Sequence, residues 1–292
     1  DIEDAKTYKL LIDGDALGVF QVESSGMREL LRKLKPSCLD DLVALVALYR
    51  PGPLNAGMVD DFIDRKHGRK RVEYPVPALE PILRSTYGVV VYQEQVMQIA
   101  QVLSSYSLGE ADLLRRAMGK KKPEEMAKQK ERFVSGAVKN GYDKDKADGI
   151  FELLAMFAAY GFNKSHSAAY GYVSYQTAWL KANHRAEFMA ALMSIESANT
   201  DKILIYLTDC KRAGITILPP DVNESLRPFD VPKNARNTIR YGLGAIKGIG
   251  DAAVDAILDA RVEAGGRFRD LMDCLDRLDL KRVNKKVLEN LI

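Results

Sequence analysis

The amino-acid sequence predicts a mainly α protein with a few short strands. It divides into a multi-helix domain over residues 1–198 and a small α+β connector with hairpins of helices over residues 199–292. Three observations carry this expectation. Apolar residues recur at helical spacing through most of the chain, as at Met27, Leu30, Leu31 and Leu34. Strand-like runs are few and short: 18–22, 87–92, 215–218, 229–231 and 238–241. Near residue 199 the long helical windows give way to short apolar runs split by Pro219, Pro220 and a polar loop.

Taken in order, residues 1–12 have helical periodicity, with Tyr8 and Leu11 on one side. Asp13-Gly14-Asp15 follows; two aspartates one residue apart could ligate a metal, but around a glycine they are the usual chemistry of a turn. Ser24 or Ser25 caps a helix that stops before Pro36. Residues 39–49 are apolar nearly all round and belong in the core. Arg50-Pro51-Gly52-Pro53-Leu54 reads as a rigid loop from which Arg50 projects at a helix end. Residues 58–66 are helical, 67–86 form a polar, proline-bearing connection, and Val89, Val90 and Val91 centre the clearest strand. Helices are expected at 93–103, 110–118, 123–140 and 144–158, with Gly119 as a left-handed terminator and Pro123 as a first helical residue. Another runs from 168 to about 183, capped by Ser165 or Ser167, and two more cover 186–197 and 201–213.

Composition excludes several classes. Hydrophobic content of 47% and charged content of 28% describe an ordinary globular protein. The net charge of +3 is too small to argue for a polyanionic partner, so any basic surface is local. No apolar run of about 18 residues marks a membrane span, and the first residues do not resemble a signal peptide. Cys38, Cys210 and Cys274 lie far apart and form no metal-ligand pair, which fits a reducing cytoplasm. The chain starts and finishes inside helix-like patterns and reads as a fragment of something longer.

Three stretches carry chemistry. The first is 113–125, where Arg115, Arg116, Lys120, Lys121 and Lys122 surround a helix–helix corner and offer fork donors and point charges to a polyanion. The competing reading is that the arginines complement a helix dipole or pair with Asp112. The second is Asn163-Lys164-Ser165-His166 at the start of a helix, whose N–H groups suit an anion; a capping or core histidine is the alternative for His166. The third is Lys247-Gly248-Ile249-Gly250 within 243–257, a pattern that resembles a helix-hairpin-helix motif. Its glycines let backbone N–H groups meet a phosphate, so contact would be indifferent to base sequence. Residues 268–292 form a second copy without the two glycines, with Lys285 and Lys286 opening its last helix.

Five strings complete the pattern: Gly18-Val19-Phe20-Gln21-Val22-Glu23-Ser24, Tyr49-Arg50-Pro51-Gly52-Pro53-Leu54, Tyr92-Gln93-Glu94-Gln95-Val96-Met97, Leu114-Arg115-Arg116-Ala117-Met118-Gly119-Lys120-Lys121 and Gly161-Phe162-Asn163-Lys164-Ser165-His166-Ser167. In this order they closely resemble the C-family replicative DNA polymerases, the alpha subunits of bacterial DNA polymerase III, over essentially the whole chain. The resemblance implies a fingers domain up to about residue 198, then a connector and the start of the tandem helix-hairpin-helix region. It implies that Arg115, Arg116, Lys120, Lys121 and Arg50 meet the dNTP triphosphate. Asn163, Lys164, Ser165 and His166 would lie near the nascent base pair or the triphosphate, and Lys247, Gly248, Ile249 and Gly250 would hold the backbone of primer–template DNA. The family's Mg2+-binding palm aspartates, and the segments that meet the sliding clamp and other subunits, would lie outside this chain. The chain alone would then be inactive and bind no metal. A non-catalytic DNA-binding scaffold, in which the first domain serves only packing, is the other reading.

Overall fold

The computed structural model describes residues 2–120, 123–158 and 160–291, the side chains of Lys120 and Ala158 excepted. The fold is mainly α, and its contacts form two compact units, Asp1–Ala178 and Trp179–Ile292.

The first unit opens with α1 (Ala5–Ile12), capped by Asp4, whose carboxylate accepts from the Thr7 N–H at 3.0 Å. Residues 17–22 are turns rather than the expected strand. Gly18 and Gln21 have φ of 77° and 65°, and Val19 and Val22, three apart, are the buried pair, a spacing no strand gives. α2 (Ser25–Leu34) is capped by Ser24. α3 (Leu39–Leu48) buries every residue from 41 to 48. The Pro-Gly-Pro stretch, expected as a loop, is a short helix, α4 (Pro51–Asn55). The first turn of a helix has no intrahelical use for its N–H groups, so Pro51 and Pro53 cost nothing there. α5 (Met58–Lys66) follows, then 3-10 turns at Pro77–Leu79 and Arg84–Thr86 flanking α6 (Glu80–Leu83).

Val89, Val90 and Val91 are buried but form no strand; the run makes one isolated parallel bridge, Tyr92 to Phe162. Val89 N–H donates to Thr86 O, and the N–H groups of Val91 and Tyr92 are met by a side chain. Gln95 Oε1 accepts from Val91 N at 2.8 Å and Tyr92 N at 2.9 Å, while Nε2 donates to Ile82 O and Thr86 Oγ1. One glutamine replaces the missing neighbour strand.

Four helices then pack together: α7 (Gln93–Ser104), α8 (Leu108–Lys120), α9 (Pro123–Lys139) and α10 (Lys144–Ala158). Leu103, Leu114, Met118, Phe133, Phe151 and Leu154 are buried in their shared core. Gly119 sits inside α8 and does not terminate it. α11 (Lys164–Asn183) begins earlier than expected, because Asn163 is its cap: Oδ1 accepts from His166 N at 2.8 Å, and Ser165 and Ser167 lie within the helix.

The second unit begins within α11 and continues through α12 (Arg185–Ile195) and α13 (Thr200–Arg212). A buried ion pair, Lys181 to Asp209 at 3.2 Å, ties α11 to α13. β1 (Thr216–Leu218) and β2 (Thr238–Arg240) pair in parallel, Ile217 opposite Ile239. The expected strand at 229–231 is reduced to one antiparallel bridge, Asp230 to Arg240. α14 (Asp251–Glu263), α15 (Leu271–Arg277) and α16 (Lys285–Leu291) complete the unit around Leu243, Ile249, Val254, Ile257, Phe268 and Val283. No described helix is long and apolar enough to cross a membrane.

Candidate functional site

On α8, one carboxylate holds both arginines. Asp112 Oδ1 accepts from Arg115 Nε at 3.0 Å and Nη2 at 2.7 Å, and Oδ2 pairs with Arg116 Nε at 2.8 Å. These bonds, Arg115's first, keep the Asp112 carboxyl below its usual range. Such pairs at a partly exposed carboxylate are weak. Arg116 is the more exposed, at 61% against 27% for Arg115. The side chain of Lys120 and the whole of Lys121 and Lys122 lie outside the described residues.

Arg115 also reaches across helices, since its Nη1 donates to Gln93 Oε1 at 3.1 Å. Gln93 opens α7, and its own Nε2 donates to Gly161 O at 3.1 Å. Its backbone N–H donates to Phe162 O at 2.9 Å, and Phe162 N–H donates to Val91 O at 3.1 Å. The segment before α11 is therefore tied directly to the arginine helix. Arg50 meets the same segment. Its Nη2 donates to Tyr160 O at 2.5 Å, its Nε donates to Ala47 O at 2.7 Å, and the guanidinium lies 4.5 Å over the Phe162 ring. Arg50 thus braces two carbonyls and an aromatic face instead of projecting from a loop.

The N-terminus of α11 already holds an anion, and it is the protein's own. The Glu94 carboxylate accepts from Lys164 N–H at 2.9 and 3.1 Å and from Asn163 Nδ2 at 2.9 Å. The Lys164 ammonium lies 5.4 Å over Tyr92, and the His166 ring packs 5.4 Å from Phe162 and 4.1 Å from Tyr170. Phe20 extends this aromatic row, 5.2 Å from Tyr170. Asn163, Lys164, Ser165 and His166 are all exposed. The structure therefore gathers four residues around the Tyr92–Phe162 bridge: Arg115 through Gln93, Lys164 through Glu94 and Tyr92, and Arg50 and His166 through the Phe162 ring. Sequence reasoning missed those two connectors as site residues, although both stand in the Tyr92–Met97 string.

The hairpin lies in the second unit. Its first helix is reduced to a 3-10 turn, Leu243–Ala245, and Gly250 precedes α14 with no side-chain cap. The two glycines differ in kind. Gly248 has φ +86°, and a Cβ there would lie 2.5 Å from Asn290 Nδ2. Gly250 has φ −84° and ψ 162°, which any residue adopts, and a Cβ there would meet nothing within 4 Å. Lys247, Gly248 and Gly250 are exposed, while Ile249 is buried in the core. The second copy has the expected parts: α15, a turn, and α16 with Lys285 and Lys286 exposed at its start. Among the described residues no group of three or more His, Cys, Asp or Glu could hold a metal ion.

A family model described as the bacterial DNA polymerase III alpha subunit finger domain matches residues 1–141, and a helix-hairpin-helix motif model matches residues 214–292. Over its whole length the chain is 57% identical to a DNA polymerase III subunit alpha of Pseudomonas aeruginosa, 56% to that of Vibrio cholerae and 55% to that of Escherichia coli. It spans 25% of the length of each of these relatives. With a finger domain, a helix-hairpin-helix motif and this identity from end to end, the chain belongs to the bacterial DNA polymerase III alpha subunit family, as a segment of it.

Proposed function

We propose that this chain is the part of a replicative DNA polymerase that binds the incoming dNTP and holds primer–template DNA, with residues 1–198 as fingers and 199–292 as connector and hairpins. The observation that carries the reading is the convergence of Arg115, Arg50, Lys164 and His166 on one bridge. A triphosphate gains charge on its leaving pyrophosphate in the transition state, and cationic donors fixed there lower the barrier. Arg115 and Arg116, with Lys120 and Lys121 beyond them, supply those donors once phosphate displaces Asp112. Arg50 acts indirectly, through Tyr160 and Phe162. Lys164 and His166 face the nascent base pair or the triphosphate from the start of α11. The bond-making carboxylates, their Mg2+ and the clamp-binding segment belong to the rest of the subunit, in the bacterial cytoplasm.

The test is single-nucleotide incorporation by the full-length polymerase carrying Arg115→Ala or Arg116→Ala. Removing a charge-assisted donor from a developing anion lowers kcat/KM for dNTP by about 100- to 1,000-fold, with melting temperature and DNA affinity nearly unchanged. Incorporation within about threefold of wild type for both variants would leave the arginines as helix-dipole partners and favour the scaffold reading.

A further inference from the structure

Gln93 is bonded in two directions that fix its amide without ambiguity. A guanidinium only donates and a carbonyl only accepts. The oxygen must therefore face Arg115 Nη1, and the nitrogen must face Gly161 O, each at 3.1 Å. A flipped amide would break both bonds. Asp112 holds Arg115 from the same helix, at i,i+3, so that pair travels with α8. Gln93 instead holds the arginine from α7, and its main chain is bonded to Phe162, two residues before α11 begins. Glu94, next in sequence, takes the first N–H of α11 itself. Arginine has four side-chain torsions, and a reacting group misplaced by about 1 Å costs roughly a hundredfold in rate.

We propose that Gln93 is a positioning residue, coupling the Arg115 guanidinium on α8 to the 160–166 segment so that both present one fixed geometry to the bound nucleotide. The inference rests on the triphosphate reading above and deepens it. It distinguishes Gln93 from a residue that merely supports Arg115, because it requires both ends of the amide.

The experiment uses the full-length polymerase with primer–template DNA and single-turnover incorporation. Its variants are Gln93→Met, Gln93→Glu, Arg115→Ala and the double variant Gln93→Met/Arg115→Ala. Gln93→Met removes both bonds at similar volume. It should lower the incorporation rate at saturating dNTP by about tenfold to a hundredfold, the size expected for a lost hydrogen bond to a charged group. In the Arg115→Ala background the same change should add less than about threefold, since the coupled partner is already gone. Gln93→Glu keeps an acceptor for Arg115 but opposes a carboxylate to Gly161 O. It should stay at least about threefold impaired, with an unchanged melting temperature. Full additivity of Gln93→Met on Arg115→Ala, or wild-type rates for Gln93→Glu or Gln93→Met beside a crippled Arg115→Ala, would overturn the coupling alone. Near-wild-type incorporation by Arg115→Ala would overturn Arg115's part in the triphosphate reading and the coupling together.

Discussion

Asp41 lies 1% exposed beside Lys66 at 7%, with their charged atoms 2.8 Å apart. Burial pushes its carboxyl up, but hydrogen bonds from Lys66, the Ser37 N–H and the Tyr87 hydroxyl outweigh that and hold it below the usual range. Burial first, and then the same carboxylate, raise the Tyr87 phenol. Tyr87 stands at φ 51°, immediately before the run that ends at Tyr92, so this network anchors the approach to the candidate site. Removing Lys66 would leave a buried charge uncompensated. Lys66→Met should therefore cost about 3–5 kcal/mol, read as a shift in the urea unfolding midpoint. Adding Asp41→Asn should return part of it. A loss under about 1 kcal/mol, the size of a surface pair, would mean that water reaches the pair.

At the scale of elements, what the sequence made legible was whatever a local rule decides. α2, α5, α9, α13 and the 268–292 hairpin are where capping residues, prolines and apolar spacing placed them. The misses have a common cause: a tertiary partner changed the meaning of a local pattern. The valine run became an extended segment whose last N–H groups, those of Val91 and Tyr92, meet Gln95 instead of a paired strand. Asn163 displaced two serines as the α11 cap, and Glu94 filled the anion position that sequence had offered to a ligand. Of the candidate site, the cations were legible but the connectors were not, since nothing local says that Gln93 faces Arg115.

α15 carries a testable local device. Asp270 accepts from the Asp273 N–H, and the Asp273 carboxylate accepts in return from the Arg269 N–H at 3.0 Å, from Arg277 Nε at 2.8 Å and from Arg269 Nη2 at 3.1 Å. Those bonds hold its carboxyl well below the usual range, the Arg269 N–H contributing most. A depressed folded-state value means the stabilisation is fully present above the unfolded value, about 3.9, and is lost as pH falls further. Wild type should therefore exceed Asp273→Asn in urea midpoint at about pH 6, and the gap should begin to narrow below about pH 4 and go on narrowing as pH falls toward the depressed folded-state value. The protein's single tryptophan, Trp179, belongs to the same unit and can report the transition. A gap that stays constant with pH would assign the effect to shape instead of charge.

For the whole molecule, 43 basic and 40 acidic residues leave little net field, so DNA affinity has to come from placed groups. If the hairpin meets phosphate through its backbone, Gly250 is the position to change. Gly248→Val would force a side chain into φ +86° and against Asn290, mixing fold damage with lost contact. Gly250 has an ordinary backbone conformation and a Cβ there meets nothing within 4 Å, so Gly250→Val adds no clash at Cβ, costs only what a β-branched residue costs at the α14 N-cap, and blocks what approaches from outside. The purified chain should bind duplex DNA with similar affinity on unrelated sequences. Gly250→Val should weaken that binding equally on all of them, lower the slope of log K against log salt by about one, and lower the melting temperature only slightly. On the proposed division of labour the same purified chain should extend no primer with Mg2+ or Mn2+, because that proposal assigns the metal-holding carboxylates to the rest of the subunit. Primer extension above a heat-inactivated control would overturn the division of labour between this segment and the rest of the subunit. Unchanged DNA affinity and salt slope in Gly250→Val would make the hairpin a structural turn.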